Sequence, residues 1–312
     1  MLPVVDGAAV ARALDDASLI ERLRRAFRTG GTVPRRQHHA IPAGGESAAL
    51  LLMPAWRAGR DIGVKVVTVF PENPARGLPT VMATYLLLDG ASGAPRALID
   101  GMELTRRRTA ATSALAASYL ARRSAQRLLM VGAGAMASHL IRAHAAVRPI
   151  NDVTIWNRTH EKAVELARQV AATTPARAVR DLEAAVAEAD IVCCATMARE
   201  PLIQGRWLKG GQHLDLVGGF TPEMREVDDL AVRRARLYVD SRDSALTEAG
   251  DIADPLRRGV ITAADVLADL FELCRGDKAG RGNDDDVTLF KSVGHALEDL
   301  AAAELVLERL GT

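Results

Sequence analysis

A chain of 312 residues, with 40 basic against 39 acidic side chains and a formal charge of +1, is about twice the size of a common domain. With no long basic block, nothing in it points to nucleic acid or to an anionic membrane, so the expected partner is a small molecule. Three cysteines, the adjacent Cys193 and Cys194 and the distant Cys274, match neither a paired framework nor a metal-binding spacing and read as core thiols in a reducing compartment.

The opening residues, MLPVVDGAAVARALDD, carry acids early and lack a basic stretch ahead of an apolar one. No run of about eighteen apolar residues follows, and a soluble, cytoplasmic protein is expected. A helix is predicted over residues 16–28, with Leu19, Ile20, Leu23, Ala26 and Phe27 on one stripe. Arg35, Arg36, His38 and His39 follow Pro34 in what reads as a loop. ALLLMPAW, IGVKVVTVF, PTVMATYLLLD and PRALIDG are β-rich runs separated by Pro and Gly, with a hairpin signal at DGASG. After a predicted helix over residues 104–121 the rhythm changes. RLLMV, DVTIWN, ARAV, DIVCCAT, HLDLVG and RLYVD are short strands, most of them followed by helical stretches, as a doubly wound parallel sheet requires. The last run, TLFKSVGHALEDLAAAELVLERL, reads as one long amphipathic helix that can return to the first domain. The expected class is α/β: a Rossmann-type sheet over residues 116–290 and a discontinuous α+β domain over residues 1–115 and 291–312.

The stretch LLMVGAGAMASHL places Gly132-x-Gly134-x-x-Ala137 between an apolar strand and a helix, with a second strand ending about twenty-five residues on. Gly132 permits a tight turn, Gly134 lets a pyrophosphate approach the backbone, and Ala137 allows close helix packing. The phosphates then sit at a helix N-terminus. Where an NAD site usually carries Asp or Glu, this chain has Trp156, Asn157, Arg158 and Thr159. No carboxylate repels a 2′-phosphate there, and a guanidinium and a hydroxyl suit one, so NADPH is expected ahead of NADH. Arg158 also reads as a solvated arginine at a strand end.

Lys65, inside an otherwise apolar strand, either occupies an edge or reaches a polar cavity where desolvation tunes it for proton transfer. Of Arg106, Arg107 and Arg108, the last lies on the small-residue face with Thr105 and Thr112 and is a candidate clamp for a carboxylate or phosphate. Arg35 and Arg36 form a second candidate clamp. His38 and His39 have no third ligand nearby, and residues 283–286, Asn-Asp-Asp-Asp, lack calcium-loop spacing and read as a polar loop and helix cap. No metal is expected, and no Ser/His/Asp or Cys/His grouping can be assembled without arbitrary pairing.

Taken together, LLLMPAW, GVKVVTVFPENPARGLPTV, LTRRRTAATSALAA, VGAGAMA, VGGFTPEMREVD, YVDSRDSALTEAGDI and TLFKSVGHALEDLAAA resemble the ornithine cyclodeaminase and mu-crystallin family over nearly the whole chain. The resemblance implies a Rossmann domain and a substrate-binding domain that forms a homodimer. It implies that Lys65 and Arg108 face the substrate at the nicotinamide, with Arg36 near the substrate carboxylate and Glu248 near the ring. On its own residues, Glu248 reads as a helix-end carboxylate making a cap. The resemblance further implies that cofactor is held by Thr80, Arg108, Gly132, Ala133, Gly134, Ala135, Met136, Asn157, Arg158, Thr159, Thr196, Val217, Gly218 and Gly219, with Lys291 to Gly294 closing over it.

Ornithine cyclodeaminases of the family look like GGDCPGK where this chain has GGFTPEM, so Phe220 stands in place of the Asp that handles the amine proton. An aromatic ring cannot exchange a proton. The stretch looks instead like the bacterial pyrroline-2-carboxylate reductases of the family. The implied reaction is NADPH- or NADH-dependent reduction of a cyclic imino acid, 1-pyrroline-2-carboxylate or 1-piperideine-2-carboxylate, to proline or pipecolate, with Lys65 governing protonation. The alternatives are a cyclodeaminase of ornithine or lysine, an alanine dehydrogenase, and a non-catalytic NADPH-dependent binding protein.

Overall fold

The computed structural model describes residues 2–42, 48–219 and 221–311. It divides into two compact units, residues 1–108 with 296–312 and residues 109–295.

The first unit is built on a mixed six-stranded sheet. Its strands are β1 (Val4–Val5), β2 (Gln37–Ile41), β3 (Ala48–Trp56), β4 (Asp61–Val69), β5 (Val81–Asp89) and β6 (Pro95–Asp100), in the order β1-β6-β5-β4-β3-β2. β2 to β6 run antiparallel, and β1 pairs parallel to β6. α1 (Gly7–Ala13) and α2 (Asp16–Thr29) each begin at an aspartate, Asp6 and Asp15, whose side chain accepts an orphan backbone N–H. The stripe Leu19, Ile20, Leu23, Ala26 and Phe27 of α2 is buried, and α2 packs on α11 (Ala296–Leu310), which also lies on β3, β4 and β5. Alternation puts Met53, Lys65 and Tyr85 in one cross-strand row on the buried face. The opposite face leaves Val66 and Met82 36% and 39% exposed.

The second unit carries eight parallel strands in the order β13-β12-β14-β11-β10-β7-β8-β9. These are β7 (Arg127–Val131), β8 (Asp152–Trp156), β9 (Ala176–Ala178), β10 (Ile191–Cys194), β11 (His213–Leu216), β12 (Arg236–Val239), β13 (Val266–Asp269) and β14 (Thr288–Lys291). The helices are α4 (Ala137–Val147), α5 (His160–Val170), α6 (Leu182–Glu188), α7 (Asp229–Arg234), α8 (Arg242–Glu248), α9 (Gly250–Arg257) and α10 (Leu270–Arg275). α3 (Gly101–Leu120) contains the division between the units. From β7 the chain steps outward through β8 and β9, then returns to β10 on the other side. This order reversal makes the β7/β10 junction a topological switch point, where open α/β sheets bind ligands. No described helix is long and apolar enough to cross a membrane.

Three local expectations need correction. The C-terminal run is not one helix: Thr288–Lys291 is a strand inserted between β11 and β12, and the helix starts only at Ala296. All four strand residues are buried, and a strand covered on both faces shows no alternation to separate it from an apolar helix. His38 and His39 lie on the edge strand β2, not in a loop. Residues 283–286 cap no helix. They form a turn in which the Asn283 Oδ1 accepts the Asp285 and Asp286 amides, at 2.9 and 3.0 Å, ahead of β14.

Candidate functional site

At the switch point, β7 runs into Gly132, whose φ of +107° is a left-handed value that glycine alone adopts freely. A Cβ there would also stand 2.6 Å from the Ala195 carbonyl, so the turn is held against the end of β10. A Cβ on Gly134 would meet nothing within 4 Å, so the space in front of the turn is open. α4 begins next, with no side-chain cap at Met136.

Asn157 ties the end of β8 to this turn. Its Oδ1 accepts the Ala133 amide at 3.1 Å, and its Nδ2 donates to the Thr159 carbonyl at 2.8 Å. The result is a cleft of about 350 Å³ lined by Gly132, Ala133, Gly134, Trp156, Asn157, Arg158, Thr159, Lys162 and residues 195–198 with Leu202. No carboxylate is among these lining residues. Lys162, in the first turn of α5, adds a second cation to the cleft lining with Arg158. The sequence reading overlooked it, although its spacing from the strand end was visible. The cleft's shape, its helix N-terminus and its two cations fit a dinucleotide carrying phosphate.

The first unit holds a buried cluster of four charges. Lys65 is 2% exposed, and β4 is flanked on both sides, so the edge-strand alternative does not hold. Its Nζ donates to Asp299 Oδ2 at 2.7 Å. Arg108 donates through Nε to Asp299 Oδ1 at 2.8 Å and through Nη1 to Glu298 Oε2 at 2.7 Å. Both carboxylates come from the first turn of α11 and are fully buried. Two positive and two negative groups thus cancel in a medium where an unpaired charge is costly. Burial, and next the Arg108 charge, push the Lys65 ammonium down to about 8, against the pull of Asp299. Burial works against Asp299 as well, but Arg108 and Lys65 outweigh it and hold that carboxyl below its ordinary range.

A third cluster lies at the ends of β10, β11 and β14. Glu226 Oε1 accepts both the amide and the hydroxyl of Thr196, at 2.7 and 2.8 Å. Lys291 ends β14, is fully buried, donates to the Gly218 carbonyl and lies 3.5 Å from Asp251 Oδ2. Its ammonium is therefore engaged inside the unit and does not sit on a closing loop. Val217 and Gly218 leave β11 with their amides on the Cys194 carbonyl, at 2.8 and 3.4 Å, and Gly219 follows them.

The profile of the ornithine cyclodeaminase/mu-crystallin family matches residues 7–312. The chain belongs to this family. A Paracoccus denitrificans protein named delta(1)-pyrroline-2-carboxylate reductase is 42% identical over 283 residues, covering 90% of each chain. The structure of Thermococcus litoralis delta(1)-pyrroline-2-carboxylate reductase in complex with NADH and L-proline is 34% identical, with a TM-score of 0.92 over 99% of this chain and 97% of that one. An archaeal alanine dehydrogenase dimer with bound NAD is 28% identical, with a TM-score of 0.92 over 99% and 95%.

In this member of the ornithine cyclodeaminase/mu-crystallin family the remaining sequence candidates fall in separate places. Thr80 precedes β5 and Arg36 precedes β2, both half-buried in the first unit. Glu248 is the last residue of α8, half-buried in the second unit. Phe220 lies outside the described residues. Glu298 and Asp299 are not among the sequence candidates, because in HALEDL helix amphipathicity alone carries no sign of a buried carboxylate.

The expectation that no Ser/His/Asp grouping can be assembled is corrected by the structure. Asp215 accepts from Ser113 Oγ at 2.9 Å, His144 Nε2 at 3.0 Å and Cys193 Sγ at 3.1 Å. The ligand atoms of His144, Cys193 and Asp215 lie within 4.8 Å of one another. All four residues are fully buried and turned onto one carboxylate, so the group acts as a core hydrogen-bond network. Its members come from α3, α4, β10 and β11, a convergence that no local pattern reveals.

Proposed function

We propose that this protein is an NAD(P)H-dependent imine reductase that converts a cyclic ketimine bearing a 2-carboxylate, 1-pyrroline-2-carboxylate or 1-piperideine-2-carboxylate, into L-proline or L-pipecolate. The observation that carries the reading is the buried Lys65–Asp299–Arg108–Glu298 cluster, in which an ammonium is tuned to about 8. A group that titrates there can hold a proton at neutral pH and still release it.

The dinucleotide, when bound, supplies a hydride to C2 of the ring. Lys65 keeps a proton available at Nζ for the imine nitrogen, since an iminium accepts hydride far better than a neutral imine does. Arg108, with Arg36, is assigned to the substrate carboxylate, and Asp299 and Glu298 fix the direction in which the guanidinium and the ammonium point. Glu248 and Thr80 are proposed as further contacts to ring and cofactor. Gly132 to Met136, Asn157 and Thr196 are assigned to the dinucleotide's phosphates and riboses.

Arg158, Thr159 and Lys162 support a preference for NADPH over NADH. The relatives support the reductase reading, since one is named for the reaction and another holds NADH and L-proline. Phe220 in place of a carboxylate disfavours cyclodeamination. A homodimer through the first unit is proposed from its half-exposed apolar sheet face, and the alanine dehydrogenase relative is a dimer.

The test is an NADPH oxidation assay with each cyclic imine, beside ornithine plus NAD. Stoichiometric oxidation with an imine supports the proposal. Ammonia release from ornithine without net NADPH use would replace it with a cyclodeaminase, and bound NADPH without any turnover would replace it with a binding protein.

A further inference from the structure

The wall of the nucleotide cleft formed by residues 195–198 begins where β10 ends, and its ends are tied by the Ala195 amide on the Val131 carbonyl and the Arg225 amide on the Ala198 carbonyl, each at 2.9 Å. Between these two anchors, one side chain fixes Thr196. Glu226 Oε1 takes the Thr196 amide and the Thr196 hydroxyl together, and the Thr196 hydroxyl in turn accepts the Ala198 amide at 3.3 Å. Glu226 is itself pinned. Its own amide donates to Asp251 Oδ1 at 2.7 Å, and its carbonyl accepts the Leu202 and Ile203 amides, each at 3.0 Å. Leu202 also lines the cleft.

Gly218 sits against the same carboxylate. A Cβ on it would stand 2.1 Å from the Thr196 carbonyl and 2.4 Å from Glu226 Oε1. Lys291 reaches the Gly218 carbonyl from below and lies near Asp251. Glu226, Asp251 and Lys291 are each fully buried, so two carboxylates share one ammonium. Glu226 Oε2 has no hydrogen-bond partner among the described residues.

We propose that Glu226 is a positioning residue of the nucleotide cleft: through Thr196 its carboxylate sets the wall at residues 195–198, with Lys291 and Asp251 holding it in place, and dinucleotide affinity depends on its ionisation. The inference rests on the reading that this cleft takes a nicotinamide dinucleotide.

Burial above all, and the Asp251 charge, push Glu226 up to about 7 against the opposing pull of Lys291 and of the Thr196 bonds. The titratable groups facing it are Lys291 on β14, Asp251 on α9, and the thiols Cys193 and Cys194 on β10. Burial keeps both thiols well above their ordinary value and hence uncharged. Arg225, next in the chain, is turned away to Asp229 and Asp254. Protonation replaces two charge-assisted bonds to Thr196 with two ordinary ones and leaves Lys291 to Asp251 alone. The wall loosens as the pH falls.

The experiment is fluorescence titration of the whole protein with NADH between pH 6 and pH 8. NADH is the probe because it lacks the 2′-phosphate, a monoester that would titrate in the same range. In the unmodified protein, affinity should weaken by up to about tenfold from pH 8 to pH 6, the limit for one linked proton. Glu226→Gln keeps an acceptor but no titrating group, and its affinity should not vary with pH. Thr196→Val removes a bond that stabilises the ionised carboxylate, so the midpoint should move to higher pH, while Thr196→Ser should restore it. If Glu226→Gln fails to fold, the Thr196 pair still decides, because it leaves the buried charges intact. An unmoved pH profile in Glu226→Gln or Thr196→Val overturns this proposal alone. Absence of NADH and NADPH binding by the unmodified protein overturns it together with the nucleotide reading.

Discussion

Asp299→Asn changes almost no volume and removes one of four buried charges. In the native cluster its Oδ2 sits 2.7 Å from Lys65 Nζ, and its Oδ1 takes Arg108 Nε at 2.8 Å. The attraction between unit charges at about 4 Å in an effective dielectric near 20 is about 4 kcal/mol, and at closer approach it is larger. At about 1.4 kcal/mol per unit, its loss lowers the Lys65 pKa by about three units. Starting from about 8, the group would titrate near pH 5. If Lys65 must carry a proton, activity at pH 7.5 should fall on the order of 10²-fold, as the protonated fraction drops from about three-quarters to well under one per cent. The assay is the pH dependence of kcat/KM for imine reduction. The native alkaline limb belongs near 8, and the variant's should appear near 5, with much of the lost activity regained in acid. A variant that keeps its limb near 8, or that is equally impaired at every pH, would refute the reasoning about Lys65. Folding should be checked in parallel, since breaking a buried ion pair costs about 3–5 kcal/mol when the remaining charge cannot neutralise itself.

Arg158→Ala with Lys162→Ala should weaken NADPH binding by at least about tenfold and leave NADH nearly unchanged, since a charge-assisted bond contributes about 1.5–3 kcal/mol; equal losses for both cofactors would remove the 2′-phosphate assignment. Gly218→Ala inserts a methyl 2.1 Å from the Thr196 carbonyl, and overpacking of this kind costs about 1–3 kcal/mol. NADH titration and thermal melting should both register it, and unchanged binding would mean that the loop yields. Val66→Glu with Met82→Glu places charges on the half-exposed sheet face, and sedimentation should find the native chain as a dimer and the variant as a monomer. A dimeric variant would move the interface elsewhere.

The glycine turn and the strand before it were legible because a dinucleotide turn concentrates its signal in six neighbouring residues, Gly132 to Ala137. The α2 stripe was legible for the same reason, being local and periodic. Lys65 stood out as a charge in an apolar strand. Its partners did not, because Asp299 is 234 positions away and nothing in HALEDL distinguishes a buried carboxylate from a solvated one. Strand β14 was lost because burial on both faces erases alternation. Asp215 looked like an acid in an unremarkable strand until Ser113, His144 and Cys193 arrived from three other elements.

The position of β14 also bears on how the molecule is made. The strand between β11 and β12 is supplied by residues 288–291, which are synthesised after both of those neighbours. Until they arrive, the parallel sheet stands open along two edges, which is the situation most prone to wrong pairing. Lys291 arrives on that strand too, so during synthesis Glu226 and Asp251 wait without their counter-charge. The Glu226 cluster is therefore completed only when this strand pairs, and a truncation anywhere upstream of residue 288 should yield a chain that aggregates, with no partly active remnant.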